Sequence, residues 1–271
     1  MKVPAACSGI LTTREYWDEF HIERDRRPFG HFGRDWGDRI SMSRSGRLLY
    51  FWAKQLLPPG GTIVEIGSAP GENLLRLARY LRCEPYGIEY SPVGAEIQRK
   101  IFAAAGVNPD NVIEGDFFSN DMERCHKRYD IVASFGFVEH FGRPSSVIDR
   151  HIDLVKPGGY LMVSIPNFRG LNLVMAHIFN PKIVDTHNMV IMERSRFRKL
   201  FQRRGVQELF CDYVGSVNLA LCMGAGGSRI LKLCLLGCQK LINLEMSFLP
   251  LEMHLEHSLV SPTILFIGRC L

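Results

Sequence analysis

Three acids stand at the ends of short apolar runs: Glu65 in Ile63-Val64-Glu65-Ile66, Glu89 in Tyr86-Gly87-Ile88-Glu89, and Asp116 after Val112-Ile113-Glu114-Gly115. Between the first two lies Gly67-Ser68-Ala69-Pro70-Gly71-Glu72-Asn73-Leu74, a glycine-rich turn that passes at once into a helical pattern. A strand, a turn of this kind and a helix are how α/β folds build a cofactor cradle. Glycine removes the side chain where the backbone must bend sharply and approach a ligand closely. Glu89 follows the turn by about 20 residues, where the acid of such a unit meets a ribose diol, so the pairing implies a ribose-bearing ligand. A nicotinamide cofactor would want glycines at the first, third and sixth turn positions. These are Gly67, Ala69 and Glu72, so two of the three fail.

The elements that position these residues alternate. Strands are expected at 62–66, 85–89, 111–115, 129–134 and 159–165, and helices at 72–82, 93–105 and 144–155. Short apolar strands separated by helices signify a parallel sheet covered on both faces. Arg44 to Leu57 reads as a further helix, stopped by Pro58-Pro59-Gly60-Gly61. Before it, residues 13 to 57 hold two breaks, Arg27-Pro28-Phe29-Gly30 and Arg34-Asp35-Trp36-Gly37. After Asn167 a long segment, 168 to 192, leads to a helix at 193–204 with Gly205 just past its end. Strands at 206–213 and 263–270 enclose about fifty apolar residues, too many for a structureless loop.

The chain has 271 residues, 46% hydrophobic and 23% charged, the composition of an ordinary globular protein long enough for one enlarged α/β domain. The formal charge is +5. Its basic residues crowd only between Arg194 and Arg204, where a solvated helix face explains them better than nucleic-acid binding, so no nucleic-acid partner is expected. The 8 cysteines show no paired CxxC spacing and read as buried free thiols in a reducing compartment. The N-terminus is too quickly charged for a signal peptide, and no stretch reaches the ~18 apolar residues of a spanning helix. A cytoplasmic location follows.

The order of motifs resembles the class I S-adenosylmethionine-dependent methyltransferases over Gly61 to about Tyr213 plus the last strand. Five pieces carry it: V-E-I-G-S-A-P-G, Y-G-I-E-Y-S, N-V-I-E-G-D-F-F, Y-D-I-V-A-S-F-G-F-V-E-H-F and K-P-G-G-Y-L-M-V-S-I-P-N. Ala69 departs from the family's second glycine, and Pro70 removes one amide donor. The resemblance implies a Rossmann-like, doubly wound, seven-stranded and mostly parallel sheet with its last strand antiparallel. It divides the chain into an N-terminal helical lid (1–57), a core (58–217), an apolar helical insertion (218–262) and a final core strand (263–271). It implies S-adenosyl-L-methionine as cofactor and S-adenosyl-L-homocysteine as its product.

On this reading Glu89, with Tyr90 beside it, takes the ribose, its two oxygens matching two adjacent hydroxyls. Asp116 accepts from the adenine amino group and Phe117 supplies an apolar face. Gly67, Ser68, Ala69, Gly71 and Asn73 bring backbone close to the methionine end, which Glu65 and the backbone of Ser134 and Phe135 border. Methyl transfer from a sulfonium is an in-line displacement, so the protein must position a nucleophile and remove a proton where needed. His140 is the candidate base, an ordinary imidazole pKa of about 6.5 being suited to that work. Glu139-His140 also resembles a metal-binding pair of ubiquinone-pathway and small-RNA methyltransferases. That pattern has a further carboxylate three residues earlier, where this chain has Gly136, and no metal is expected; His177 or His187 would have to supply a third ligand.

Tyr16, Trp17 and His21 on an aromatic N-terminal helix, with His187 and Asn188 after the fifth strand, are the expected acceptor contacts. Ile230 to Leu244 carries polar residues at 232, 239, 240 and 243 with helical spacing, leaving a broad apolar face. Packing onto the domain, homodimerisation, and peripheral contact with a membrane or lipid-like acceptor compete for it. The expected enzyme methylates an oxygen or nitrogen of a small, partly apolar metabolite. The alternative is a non-catalytic cofactor-binding partner docking through the insertion.

Overall fold

The computed structural model describes residues 9–25, 43–202, 205–219, 221 and 228–271. The apolar runs form one 7-stranded sheet in the order β3-β2-β1-β4-β5-β7-β6. Its strands are β1 (Thr62–Ile66), β2 (Glu84–Glu89), β3 (Val112–Glu114), β4 (Tyr129–Phe135), β5 (Val155–Pro166), β6 (Val206–Val214) and β7 (Thr263–Cys270). β1 to β5 pair in parallel, whereas β7 runs antiparallel to both neighbours. The chain progresses outward from β1 in one direction and from β4 in the other. The crevice at the carboxyl ends of β1 and β4 is therefore the switch point where open α/β sheets take ligands.

The helices are α1 (Arg14–Asp25), α2 (Arg44–Leu56), α3 (Glu72–Leu81), α4 (Pro92–Ala104), α5 (Pro144–Leu154), α6 (Leu171–Phe179), α7 (Arg194–Lys199) and α8 (Arg229–Ser247). Strand side chains alternate between the two faces of the sheet. Ile63, Ile131, Ala133, Met162 and Leu265 pack with Leu48, Leu74, Leu77 and Phe102 of α2, α3 and α4. Val64, Ile66, Val132, Val163 and Phe266 pack on the other face with Val147, Ile148 and Phe197 of α5 and α7. Serine caps set two helix starts. Ser43 Oγ accepts from the Gly46 amide (3.4 Å) at α2, and Ser91 Oγ accepts from the Gly94 amide (3.0 Å) at α4, with Pro92 in the first turn.

Several elements depart from the sequence reading. α6 arises inside the long segment 168–192, to which the sequence reading assigned no element, because Leu171-Asn-Leu-Val-Met-Ala-His-Ile-Phe is apolar nearly all round and shows no amphipathic period. Gly170 starts it at φ +55°, and an added Cβ would stand 2.3 Å from the Leu259 carbonyl oxygen, so only glycine fits. α7 is shorter than 193–204, since Leu200 and Phe201 leave the helix to enter the core. Its arginines meet acids: Arg194 with Asp212 (2.8 Å), Arg196 with Glu193 (3.4 Å) and Arg198 with Glu208 (3.0 Å). Arg203 and Arg204, the two breaks before α2, Cys7 and Cys222 lie outside the described residues. Cys83, Cys125, Cys211 and Cys270 are buried, but Cys234 and Cys238 are exposed, contrary to the reading of buried thiols.

Of the three uses open to the apolar face of α8, packing onto the domain is the one that the burial pattern does not follow. Gln239 and Asn243 are buried, while Ile230, Leu233 and Leu241 are exposed. The amides find partners inside: Gln239 Oε1 accepts from the Leu219 amide (2.6 Å), and its Nε2 donates to Asn243 Oδ1 (2.8 Å) and the Val217 carbonyl (3.3 Å). Satisfied in this way, two polar side chains dock the helix and its apolar side faces outward. Arg47 of α2 holds the last turn of α8 through the Met246 carbonyl (2.7 Å), and Arg44 fastens the segment that follows through Glu256 (3.2 Å). No helix among the described residues is long and apolar enough to cross a membrane.

Candidate active site

At the carboxyl edge of the sheet, one cavity of about 790 Å³ opens between the β1 turn, the ends of β2 to β5, α1 and the segment around His187. On the side of β1, β2 and β3 its lining includes Gly67, Ala69, Glu89, Tyr90, Asp116 and Phe117, and the end of β4 adds Phe135. Glu89 is buried and held by two backbone donors, Ala69 N–H to Oε2 (3.0 Å) and Ser91 N–H to Oε1 (2.9 Å). Burial raises its pKa from 4.5, and those amides oppose the rise. Asp116 Oδ1 accepts from the Phe118 amide (2.9 Å), which fixes the carboxylate at the cavity wall. Gly67 adopts φ +68°, and a Cβ there would come within 2.8 Å of the Phe137 ring.

The turn's amides are largely engaged within the protein. Gly67 N–H (2.9 Å) and Ser68 N–H (3.4 Å) both point to the Ile88 carbonyl, and Ala69 N–H points to Glu89. The Ala69–Pro70 peptide bond is cis.

α1 walls the opposite side. Tyr16, Trp17, Phe20 and His21 all line the cavity. Asp18 hydrogen-bonds Ser91 Oγ, which ties α1 to the capped start of α4. Ahead of α1, the Leu11 amide donates to the His140 carbonyl (2.9 Å), and Gly142 N–H donates to the Gly9 carbonyl (2.7 Å). Trp17 presents its Nε1 to Thr12 Oγ1 (3.1 Å) and sits edge-on to His140, with ring centroids 5.0 Å apart.

Glu139, His140 and His187 meet where α1 faces the loop before α7, and all three line the cavity. The His140 and His187 rings are 4.5 Å apart between centroids. His140 Nδ1 contacts the Thr186 carbonyl (2.9 Å), and His187 Nδ1 contacts the Ile183 carbonyl (2.7 Å). A carbonyl only accepts, so each Nδ1 carries the hydrogen and each Nε2 keeps its lone pair. Burial, with His187 adding to it, lowers the His140 pKa to about 3, and burial lowers that of His187 to about 4. Burial also pushes Glu139 up to about 8. His140 Nε2 and Glu139 Oε1 are 4.0 Å apart, and both groups favour their uncharged forms, so they are a neutral pair rather than an ion pair. His140 is thus a much weaker base than an ordinary imidazole. Its Nε2 keeps a lone pair that can accept a hydrogen bond at the cavity wall.

Other expected site residues lie behind this surface. Glu65 is buried in β1 and does not line the cavity. Ser68 Oγ turns away to Gln98 Oε1 (2.7 Å), and Ser134 Oγ meets His151 Nε2 (3.0 Å) beneath β4. Gly71 caps α3 at φ +94°, and Asn73 is exposed in that helix's first turn. Asn188 braces rather than lines: its amide donates to the Glu139 carbonyl (2.6 Å) and its Nδ2 to the Phe141 carbonyl (3.0 Å). His177 bonds its own helix at the Leu173 carbonyl (2.8 Å) and does not line the cavity.

Phe137 and Phe141, which residue-by-residue reading passed over, supply much of the apolar wall and pack on each other at 5.0 Å. Their four-residue spacing across Glu139-His140 was the available signal.

A family profile described as a methyltransferase domain matches residues 42–210, more than half of the chain. Over 120 residues the chain is 31% identical to mouse (Mus musculus) EEF1A lysine methyltransferase 2, covering 43% of this chain and 46% of that protein. The human (Homo sapiens) protein of the same name is 30% identical over 120 residues, covering 43% and 48%. The chain thus spans about half the length of the curated relatives it matches. Among solved structures, a Thermotoga maritima S-adenosylmethionine-dependent methyltransferase, described as a possible histamine N-methyltransferase, superposes with a TM-score of 0.55. It is 17% identical, over 94% of this chain and 98% of that one. A Streptomyces coelicolor geranyl diphosphate C-methyltransferase in complex with Mg2+, geranyl diphosphate and S-adenosyl-L-homocysteine gives 0.53 at 11% identity, over 82% and 78%. The sheet order with its antiparallel β7 agrees with these folds, and the profile covers the cradle from β1 through the arginines of α7. The chain belongs to the class I S-adenosylmethionine-dependent methyltransferases.

Proposed function

We propose that this enzyme moves the methyl group of S-adenosylmethionine to an oxygen or nitrogen of a small, partly apolar molecule seated between α1 and the His187 loop. The supporting observation is the single cavity that joins Glu89 and Asp116 at one end to His140 and His187 at the other. Glu89 takes the ribose diol, because each of its oxygens keeps acceptor capacity after accepting one backbone amide. Asp116 and Phe117 take the adenine by its amino group and its face. The cofactor supplies an electrophilic methyl group when bound. The protein's part is to bind and orient it, to exclude water with Tyr16, Trp17, Phe137 and Phe141, and to hold the acceptor's hydrogen at His140 Nε2.

A second reading comes from the relatives, which are named for lysine methylation of EEF1A: the same aromatic wall would suit the aliphatic stem and amine of a lysine side chain. Radiolabelled methyl transfer separates the two. A panel of hydroxyl and amine metabolites is expected to accept label, and transfer only to protein would replace the small-molecule acceptor by a lysine. Calorimetry with S-adenosylhomocysteine tests the cofactor assignment itself. No binding to the folded protein would remove it.

A further inference from the structure

We propose that Glu139, His140 and His187 form a site for one divalent first-row transition-metal cation, held by a Glu139 carboxylate oxygen and the Nε2 atoms of both histidines. One ligand atom from each residue lies within 4.8 Å of the other two. Donors about 2.0–2.2 Å from a shared tetrahedral ion stand roughly 3.3 Å apart, so side-chain adjustments of about 1 Å close the set.

Four observations bear on this cluster beyond proximity. Both imidazoles give Nδ1–H to a backbone carbonyl, Thr186 for His140 (2.9 Å) and Ile183 for His187 (2.7 Å). Metal-bound histidines are usually oriented in this way, with the second nitrogen anchored and Nε2 presented. Glu139 is 1% exposed, and its Oε2 has no hydrogen-bond partner among the described residues. Burying a carboxyl without a partner is costly, and a cation is the partner that the surrounding donors would share. The two segments that carry the ligands are stitched together by Asn188, whose amide meets the Glu139 carbonyl (2.6 Å) and whose Nδ2 meets that of Phe141 (3.0 Å). Finally, Gly136 leaves room beside the carboxyl, since even a Cβ there would stand 3.4 Å from Oε1.

Two imidazoles and one carboxylate suit zinc, iron or a similar ion and do not suit magnesium, which prefers oxygen ligands and near-ideal octahedral geometry. Three protein ligands leave open positions, and these face the cavity, as in reactive rather than structural sites. The inference goes beyond methyl transfer and leaves the Glu89 end untouched. With the ion bound, His140 Nε2 is committed to it, and an acceptor oxygen or nitrogen meets the ion instead of the ring.

The test uses chelator-treated full-length protein carrying Cys234→Ser and Cys238→Ser, because those two exposed thiols would otherwise compete for metal. Calorimetric titration with Zn2+ is expected to show one ion per chain, at least about tenfold weaker in His187→Ala and in Glu139→Gln. Co2+ loading is expected to give visible ligand-field bands without a thiolate charge-transfer band. Titration of the same samples with S-adenosylhomocysteine reports folding and the cofactor site independently. Should His187→Ala fail to fold, Glu139→Gln, equal in size, carries the comparison. No Zn2+ uptake by protein that binds S-adenosylhomocysteine, unchanged Zn2+ affinity in the folded variants, or a thiolate band would each overturn the site. Zn2+ binding without S-adenosylhomocysteine binding would instead count against the cofactor assignment alone.

Discussion

Glu89 and Glu139 are both buried glutamates at the carboxyl edge of one sheet, and their surroundings treat them oppositely. Withdrawing a carboxylate from water costs several kcal/mol unless donors replace the lost hydration. Glu89 receives two, because the chain turns back after β2 to aim the Ser91 amide at one oxygen while the β1 turn aims the Ala69 amide at the other. Glu139 sits in a short 3-10 turn (Val138–His140) between Phe137 and Phe141, with one side-chain oxygen unpartnered among the described residues. Its neighbours are two uncharged imidazoles. A satisfied carboxylate belongs to a surface finished before its ligand arrives. An unsatisfied one, even with its charge removed by protonation, marks a place where a partner is still to be added.

Variants at the two ends should separate this contrast. The largest effect is expected from His140→Ala, which should lower kcat by about 10²–10⁴-fold while S-adenosylhomocysteine affinity stays within about threefold. Full activity in single-turnover assays would take His140 out of the acceptor site. Glu89→Ala should produce the opposite pattern, weakening S-adenosylmethionine and S-adenosylhomocysteine by about 1–3 kcal/mol, roughly 5- to 150-fold in Kd. Unchanged calorimetric titrations would show that the ribose is bound elsewhere.

Melting temperature against pH comes next. His140, His151 and His187 are held neutral, their pKa values lowered from 6.5 to about 3, 4 and 4. The unfolded chain takes up protons below 6.5 that the native one refuses, so stability should fall as the pH drops from about 6.5 towards 4. Glu139, raised from 4.5 to about 8, works the other way. Its contribution is whole below 4.5 and is lost as the pH rises through 8. A melting temperature independent of pH across both windows would contradict the burial of these groups.

The smallest effect is also the most direct comparison of the two acids. Glu89→Gln places an amide NH2 against a backbone donor and should cost about 1–3 kcal/mol in urea unfolding. Glu139→Gln in metal-free protein should change stability by less than about 0.5 kcal/mol, since a neutral side chain replaces a neutral one. Equal losses would erase the distinction.

The Glu89 end of this arrangement is legible in the sequence for a physical reason. Strand residues such as Ile63, Val64, Ile131 and Val132 carry apolar and β-branched side chains on both faces, so the strands announce themselves. The acids then mark where they end. Glu89 and Asp116 could be placed because their positions follow from local chain geometry. The meeting of His140 with His187 could not, because it depends on how residues 180–188 fold back over the end of β4. His187 and Asn188 were both recognisable as polar residues near an acceptor, but only packing decides that one lines the cavity and the other braces it. α8 misleads for a related reason. Gln239 and Asn243 look like a solvent face until each finds a partner in the other and in the backbone of Val217 and Leu219.

α1 and the residues before it cover the cavity and are fastened at both ends: Asp18 to Ser91 close to Glu89, and the Leu11 amide to the carbonyl of His140. If donor and acceptor share this cavity as proposed, a single cover makes their departures one kinetic event. The spent donor and the methylated product should then dissociate at linked rates, and Asp18→Ala should quicken both in stopped-flow chase experiments. Release of one alone would mean that the two ends open separately.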